Sequence, residues 1–337
     1  MARGVLLLQL GTPEAPTAEA VRPYLRQFLS DPRVIEPPDR WLRYPRLWRI
    51  VWKLVLHGVV LRKRPAESAH KYRRIWDRIR GMPLLYYTRR QAELLQASLG
   101  SSYVVRFAMR YGRPAISEVL HELLAGGTDR LVVVPLYPQY SATTTASALD
   151  GLFAALMRER VLPGLRIVEP YYRHPAYLRA QVDLVRAFLA GLSEPPEFYL
   201  LSFHGMPEAY VRRGDPYPQQ TCWTAEQIAR ELGWPPGTWR LTYQSVFGKD
   251  PWLQPYTETT LIELAERGIR RVFVATPGFV ADCLETIDEI GNEAREAFRR
   301  HGGLELYRCP CLNETPQWIE ALRELVLEAD SQKPGPS

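Results

Sequence analysis

What the chain lacks narrows it first. It has only four cysteines in 337 residues, Cys222, Cys283, Cys309 and Cys311. They are too few and too scattered for a disulfide framework, which fits a reduced, cytoplasmic setting. Cys309-Pro310-Cys311 has no second pair and no nearby histidine, so it reads as two incidental thiols rather than a zinc site. Uninterrupted apolar runs fall well below the ~20 residues that a membrane-spanning helix needs. Val5-Leu6-Leu7-Leu8 is followed by Gly11-Thr12-Pro13-Glu14 without a small-residue cleavage pattern, so the amino terminus reads as a first buried strand and not as a signal peptide. No Gly-X-Gly-X-X-Gly follows a strand and no Walker loop is present, which leaves dinucleotide and P-loop nucleotide binding without support. No familiar nucleic-acid motif occurs, so nucleic acid ranks last among partners.

What is there points to two domains of ordinary size, long enough to bury roughly three quarters of the unfolded surface without staples. The net charge is +6, with much of the excess being arginine between positions 22 and 90. An anionic membrane surface or an acidic ligand accounts for such an excess. The stretch from Trp41 to Leu61 mixes Trp41, Trp48, Trp52 and several aliphatic residues with Arg43, Arg46, Arg49 and Lys53, and Arg62-Lys63-Arg64 closes it. Tryptophan and arginine on an amphipathic helix suit a membrane interface. A core-packing helix whose charges snorkel outward would read the same way.

The chain repeats itself. Gly4 to Glu14 matches Phe198 to Glu208, each an apolar run ending in Gly-X-Pro-Glu. Tyr103 to Gly112 parallels Trp239 to Gly248, and each precedes a helix-period segment, Ile116 to Ala125 and Thr257 to Arg267. Arg130 to Pro135 parallels Arg271 to Pro277. Near-continuous apolar strands alternating with helices mean parallel sheets covered on both faces. The predicted architecture is α/β, with two similar doubly wound, Rossmann-like domains facing each other across a cleft. The boundary falls between Pro163 and Leu192. The expected division is 1–165 for the first domain, with a lip segment at 41–64, and 166–314 for the second. A terminal helix over 315–330 packs back on the first domain, and 331–337 forms a loose tail.

Two motifs carry chemistry. In Ser202-Phe203-His204-Gly205-Met206-Pro207 one histidine stands where an apolar run ends in a Gly/Pro break. A residue just past the carboxyl end of such a strand lies at the edge of the ligand crevice. Imidazole is the side chain best suited to accept protons there near neutrality. A histidine that merely caps a strand would occupy the same position. The second motif is Asp282-Cys283-Leu284-Glu285-Thr286-Ile287-Asp288-Glu289, after the strand Val272-Phe273-Val274. On a helix Asp282, Glu285 and Glu289 share one face. A first-turn acid is explained by the helix dipole, which covers Asp282 but not the two deeper glutamates. By the repeat, His204 and Glu285 face each other, an arrangement that can abstract protons, bind a divalent metal, or both.

These motifs, together with Arg213-Gly214-Asp215-Pro216-Tyr217-Pro218-Gln219, Gln244-Ser245 with Pro251-Trp252, Pro135-Leu136-Tyr137-Pro138-Gln139-Tyr140-Ser141 and Arg110-Tyr111, resemble the ferrochelatase family. The resemblance runs from Leu6 to about Val326. It implies a chelatase-like fold and insertion of Fe2+ into a porphyrin, the last step of haem synthesis. His204 and Glu285 match the family's pair at the metal and proton site. Asp282 and Glu289 match acids lining a path for protons or metal. Arg110, Tyr111, Tyr137, Ser245 and Trp252 match positions around the porphyrin, and Arg64 matches a propionate-binding arginine. The tryptophan-rich stretch falls at the family's membrane-facing lip, so Trp41, Trp48 and Trp52 are its expected contacts. Cys283 stands where some relatives carry histidine.

The expected enzyme is therefore a lyase-class chelatase using protoporphyrin IX, cytoplasmic and peripheral on the inner membrane. Its partners are porphyrin, Fe2+, the membrane surface and other enzymes of the haem pathway. No tightly bound cofactor is expected. The position matching one ligand of the family's [2Fe–2S] cluster is Ala142, and no cysteine follows Cys311, so no cluster of that arrangement is expected either. The rival readings are coproporphyrin III as substrate, a cobalt or nickel tetrapyrrole chelatase, a non-catalytic haem- or metal-binding protein, and a membrane-docked scaffold.

Overall fold

The structure is a computed structural model that describes residues 2–246, 248 and 250–331. The tail expected from 331 onward lies outside the described residues apart from Ser331, as does Phe247 of the second repeat. The chain divides into two compact units. Unit 1 comprises 1–136, 141–168 and 328–337, and unit 2 comprises 137–140 and 169–327. The main division along the chain falls between Val168 and Glu169. The terminal helix Pro316–Ser331 has its last turn in unit 1, where Asp330 accepts from Tyr103 and pairs with Arg3 and Arg130.

Each unit holds a four-stranded parallel sheet. In unit 1 the strands are β1 (Ala2–Gly11), β2 (Tyr103–Tyr111), β3 (Thr128–Pro135) and β4 (Gly164–Ile167), in the order β2-β1-β3-β4. In unit 2 they are β5 (Phe198–His204), β6 (Trp239–Gln244), β7 (Arg271–Ala275) and β8 (Glu305–Arg308), in the order β6-β5-β7-β8. The two orders are the same. The central strands β1, β3, β5 and β7 carry apolar runs because helices cover both faces of each sheet. In unit 2, Leu200, Val272, Val274 and Leu306 pack on one face with helices Thr257–Glu266 and Arg295–Arg300. Leu201, Phe203, Phe273 and Ala275 pack on the other with helices Pro175–Ala190 and Tyr217–Glu231. Each fully buried leucine or phenylalanine contributes about 1.5–3 kcal/mol.

Two features of the repeat differ from the sequence reading. A fourth pair of strands exists, β4 and β8, joined to β3 and β7 in matching register. Second, β2 and β6 align two residues away from the expected match. Met109 N–H donates to Pro114 O and Tyr243 N–H to Pro255 O, both at 2.8 Å. Met109 bridges Ala115 as Tyr243 bridges Tyr256. Met109 is therefore the counterpart of Tyr243, Arg110 of Gln244 and Tyr111 of Ser245. A slip of two residues keeps every side chain on its own face of the sheet, so the apolar pattern could not reveal it.

The lip segment forms helix Pro45–Val55, a π-helical turn Leu56–Val60 and helix Leu61–Ile75. No residue of Pro45–Val55 is buried. Its tryptophans turn inward. Trp52 Nε1 donates to Leu29 O at 2.7 Å, Trp48 stacks on Trp52, and Trp41 leans on Trp48. The exposed large apolar side chains of the segment are Leu42, Tyr44, Leu47, Ile50, Leu54, Val55 and Val59.

Candidate active site

His204 ends β5, half-buried, directly opposite Gln244 in the parallel register with β6. The strand ends there, although pairing with β6 continues for one more bond. Gly205 N–H donates to Gln244 O at 2.8 Å, and a Cβ at Gly205 would lie 2.9 Å from that oxygen and 3.1 Å from the Trp252 ring. Only glycine admits so close an approach. Trp252 is held there by a bridge to Pro207 and by Leu253 N–H donating to Met206 O. Its ring centre is 6.5 Å from that of His204, and Phe279 approaches to 6.4 Å.

The imidazole has a defined tautomer. Nδ1 lies 2.6 Å from Gly205 O. A carbonyl only accepts, so Nδ1 carries the proton and the lone pair of the neutral ring is on Nε2. Tyr217 hydrogen-bonds the His204 backbone, and burial raises its phenol far above the ordinary value. It serves as a neutral strut beneath the histidine.

Asp282 does not share a helix face with the glutamates. It lies before the helix, 3% exposed, because its carboxylate organises the turn after β7. Arg308 Nη1 and the Thr286 hydroxyl donate to Oδ1 at 2.8 and 2.7 Å. Asn313 Nδ2 donates to Oδ2 at 2.7 Å, and Asn313 Oδ1 in return accepts the Asp282 N–H. A buried carboxylate needs such company, and all of it is internal.

Glu285 to Ala294 form a π-helix rather than an α-helix. Its i→i+5 bonding gives a wider turn, an arrangement that recurs at functional sites. Glu285 and Glu289 are half-buried on this segment, while Asp288 is fully buried and accepts from Asn292 at 2.8 Å. Gln244 Nε2 donates to Glu285 O at 2.7 Å. His204 and Glu285 therefore converge on one residue, the first through strand pairing and the second through a side-chain bond. The Ser245 hydroxyl donates to the Glu289 carboxylate. Burial pushes the neighbouring Cys283 thiol well above its ordinary pKa, and the Glu285 charge adds to the shift. The group is thus a neutral thiol at physiological pH.

The remaining site candidates are placed as follows. Tyr137 is half-buried, within electrostatic reach of Tyr171. Arg110 and Tyr111 are engaged inside unit 1. Asp31 Oδ2 accepts from Arg110 Nη2, the Tyr111 hydroxyl and the Ser147 hydroxyl at 2.6, 2.8 and 2.6 Å. Burial alone would raise the Asp31 pKa. The bonds from Ser147, the Arg33 N–H and Tyr111, with the Arg110 charge, outweigh it and hold the group below its ordinary value. Arg64 is half-buried, and burial lowers its guanidinium pKa against the pull of Glu67. Sequence reasoning gave no role to Ser202, which opens the histidine motif, or to Phe279, and it did not reach Thr257, Arg308 and Asn313. Phe279, beside the Pro277-Gly278 break, carried a local signal.

A family model described as Ferrochelatase matches residues 2–330. This chain belongs to the ferrochelatase family. The ferrochelatase of Rhodopseudomonas palustris (strain TIE-1) is 46% identical over 327 residues, covering 96% of this chain and 92% of that one. That of Aromatoleum aromaticum is 48% identical, covering 96% and 86%. Among solved structures, SirB from Bacillus subtilis with Fe3+ matches with a TM-score of 0.55 at 13% identity, covering 98% of each chain. DR2241 from Deinococcus radiodurans, described as structurally similar to chelatases, matches at 0.51 over 99% of this chain and 56% of its own. At that identity the likeness is one of fold. Ferrochelatases are metal chelatases, so iron and haem synthesis are the setting in which the His204–Gln244–Glu285 geometry is to be read.

Proposed function

We propose that this protein inserts Fe2+ into protoporphyrin IX, giving haem and two protons. The observation that carries the reading is the fixed imidazole. With Nδ1–H engaged on Gly205 O, the Nε2 lone pair of His204 is the proton acceptor. Porphyrin loses two inner N–H protons as the metal enters. His204 Nε2 takes a proton as it leaves the ring, and Glu285 and Glu289 pass protons onward along the π-helix. Imidazole nitrogen and carboxylate oxygen are also reasonable donors for ferrous iron, so His204 and Glu285 serve as its receiving groups. The Trp252 and Phe279 rings offer the apolar flank that a macrocycle face favours. Bending a flat porphyrin exposes its nitrogen lone pairs, and a rigid site draws that strain from binding energy at the rim.

The test is anaerobic turnover with Fe2+. His204→Ala should lower kcat by about 10²–10⁴-fold with melting unchanged. Wild-type turnover in that variant would remove the proposed base. Protoporphyrin IX, coproporphyrin III, Fe2+, Co2+ and Ni2+ offered in parallel identify the substrate pair. Multiple turnovers exclude passive haem binding. The exposed apolar side chains of Pro45–Val55 favour the dicarboxylate over the tetracarboxylate porphyrin.

Those side chains also support peripheral membrane docking. Leu47, Ile50 and Leu54 recur at helical spacing on an exposed face, and Arg46, Arg49 and Lys53 among them suit anionic headgroups. Among the described residues no helix is long and apolar enough to cross a membrane. Ile50→Gln with Leu54→Gln should reduce co-sedimentation with phosphatidylglycerol-containing vesicles several-fold while leaving thermal melting unchanged. Unchanged sedimentation would locate any docking elsewhere.

A further inference from the structure

We infer that Gln244 and Ser245, at the end of β6, form a two-point clamp that sets the acid row of the π-helix relative to His204. Both are positioning residues, and their effect on rate rests on the reading of His204 and Glu285 as the reacting groups.

The first point is Gln244, which is 5% exposed. Its Oε1 accepts from the Ser202 hydroxyl at 2.7 Å, so its Nε2 is the atom turned toward Glu285 O. That orientation is required, since a carbonyl facing a carbonyl would repel. Ser202 is backed by Thr257 at 2.7 Å, and Thr257 by Thr242 at 2.9 Å. All three hydroxyl residues are buried. Each hydroxyl has one proton, and Ser202 spends its own on Gln244, so losing that bond would strand a buried polar group. Gln244 also receives the Gly205 N–H on its own carbonyl. One residue thus holds Gly205, whose carbonyl engages the imidazole, with its main chain and the Glu285 peptide with its side chain.

The second point is Ser245. Its φ is 65°, in the left-handed region, and only Asn313 shares that property among the described non-glycine residues. Glycine would adopt this backbone without strain. Serine instead supplies a hydroxyl that bonds the Glu289 carboxylate. The two anchor points are four residues apart on a helix whose own bonding geometry is uncommon and gains from outside support.

Unit 1 provides an independent parallel. Arg110 and Tyr111, the strand counterparts of Gln244 and Ser245, both bond Ser147, on the helical segment that follows β3. That segment also opens with a π-helical turn, Ala142–Ala146. A contact from the end of the second strand to the helix after the third is thus common to both units. In unit 2 it ends on the residues with reactive carboxylates.

The test compares the full-length wild type with Gln244→Met, Ser245→Ala and Ser245→Gly. Amide hydrogen exchange over 285–294 reads the clamp without reference to activity. Anaerobic Fe2+ insertion into protoporphyrin IX reads its consequence. Gln244→Met, which keeps the volume, should speed exchange across 285–294 and lower kcat on the order of tenfold to a hundredfold, with the porphyrin KM within a factor of two. Ser245→Ala and Ser245→Gly should fall together by a smaller factor, since both remove the hydroxyl while only glycine relieves the backbone. Recovery in Ser245→Gly alone would mean that strain and not the hydroxyl matters, and would overturn the second point. Faster exchange with unchanged kcat would make the dipeptide a structural brace only and overturn the inference. An inactive wild type would instead refute the proposed reaction, and the exchange data would still decide whether the clamp exists.

Discussion

At the end of its second strand, unit 1 carries Arg110-Tyr111 where unit 2, in the same register, carries Gln244-Ser245. The first pair closes a charged knot. Asp31 takes bonds from Arg110, Tyr111 and Ser147, and the cation is neutralised where it stands. The second pair is neutral, and its bonds run out to a helix that carries Glu285 and Glu289. The segments that follow differ as well. Pro114 comes four residues after Arg110, whereas Pro255 comes eleven after Gln244. The additional chain brings Trp252 against Gly205 and beside His204. The same fold element is tied by an ion pair in one unit and reaches a carboxylate-bearing helix through neutral donors in the other.

The largest expected effect tests that contrast directly. Asp31→Ala leaves Arg110 without its carboxylate and should cost unit 1 about 3–5 kcal/mol in denaturant unfolding. Gln244→Met should cost only about 1–2 kcal/mol, one neutral network for one charged knot. Equal losses would break the comparison. The sign of the pH dependence follows from the depressed Asp31 pKa. Its stabilisation is complete above the unfolded aspartate value of about 3.9 and is lost as pH falls through the lower folded value. The stability gap between wild type and Asp31→Asn should therefore shrink only below about pH 4.

A second pair of variants sharpens the same comparison at the end of each unit's first strand. Gly11 and Gly205 are counterparts, and a Cβ on Gly11 would lie 1.8 Å from Tyr111 O at a φ of 112°. Gly11→Ala should therefore cost about 3 kcal/mol or more. Gly205→Ala meets its neighbours at 2.9 and 3.1 Å and should cost about 1–2 kcal/mol. Its effect on turnover should be the larger of the two, because it moves Trp252 and the peptide that carries the Nδ1 acceptor. A chevron or denaturant series with matched turnover assays separates the two costs.

How much of this the sequence displayed depended on which interactions are periodic. Parallel strands read as unbroken apolar runs, so β1, β3, β5 and β7 stood out, and helix Ile116–Ala125 was legible to its ends. β4 and β8 are four residues each, too short and too mixed to show a run. The two-residue slip of β2 against β6 was invisible because alternation has period two. His204 was legible because a strand terminus followed by Gly-Met-Pro is a local signal. The role of Asp282 was not, since its partners Arg308 and Asn313 lie 26 and 31 positions further along. The π-helix was not legible either. Carboxylates four apart suit an ordinary helix, and what distinguishes the wider turn here is the support it receives from β6. On the lip segment composition announced the tryptophans, but packing turned them inward and left Leu47, Ile50 and Leu54 outside.

The smallest effect is chemical and costs no stability. All four cysteines lie in unit 2, so their thiols report on that unit alone. Cys283, Cys309 and Cys311 are buried, and Cys222 is exposed. Burial pushes Cys309 up to about 12 and the other two buried thiols well above the ordinary range. Cys222 is also raised, by its partial burial and by the nearby Glu226, but it is open to reagent. A thiol reagent at neutral pH should therefore modify Cys222 slowly in the native protein and the other three only through opening or unfolding. Cys283 is the informative one, since it stands two residues before Glu285. In Gln244→Met its modification should accelerate while that of Cys309 does not, because the loosened bond lies at the start of the π-helix and not at β8. Native wild-type protein in which Cys283 reacts as fast as Cys222 would mean that the start of the π-helix is already open, and the distinction between a closed knot in unit 1 and a held but responsive one in unit 2 would have to be redrawn.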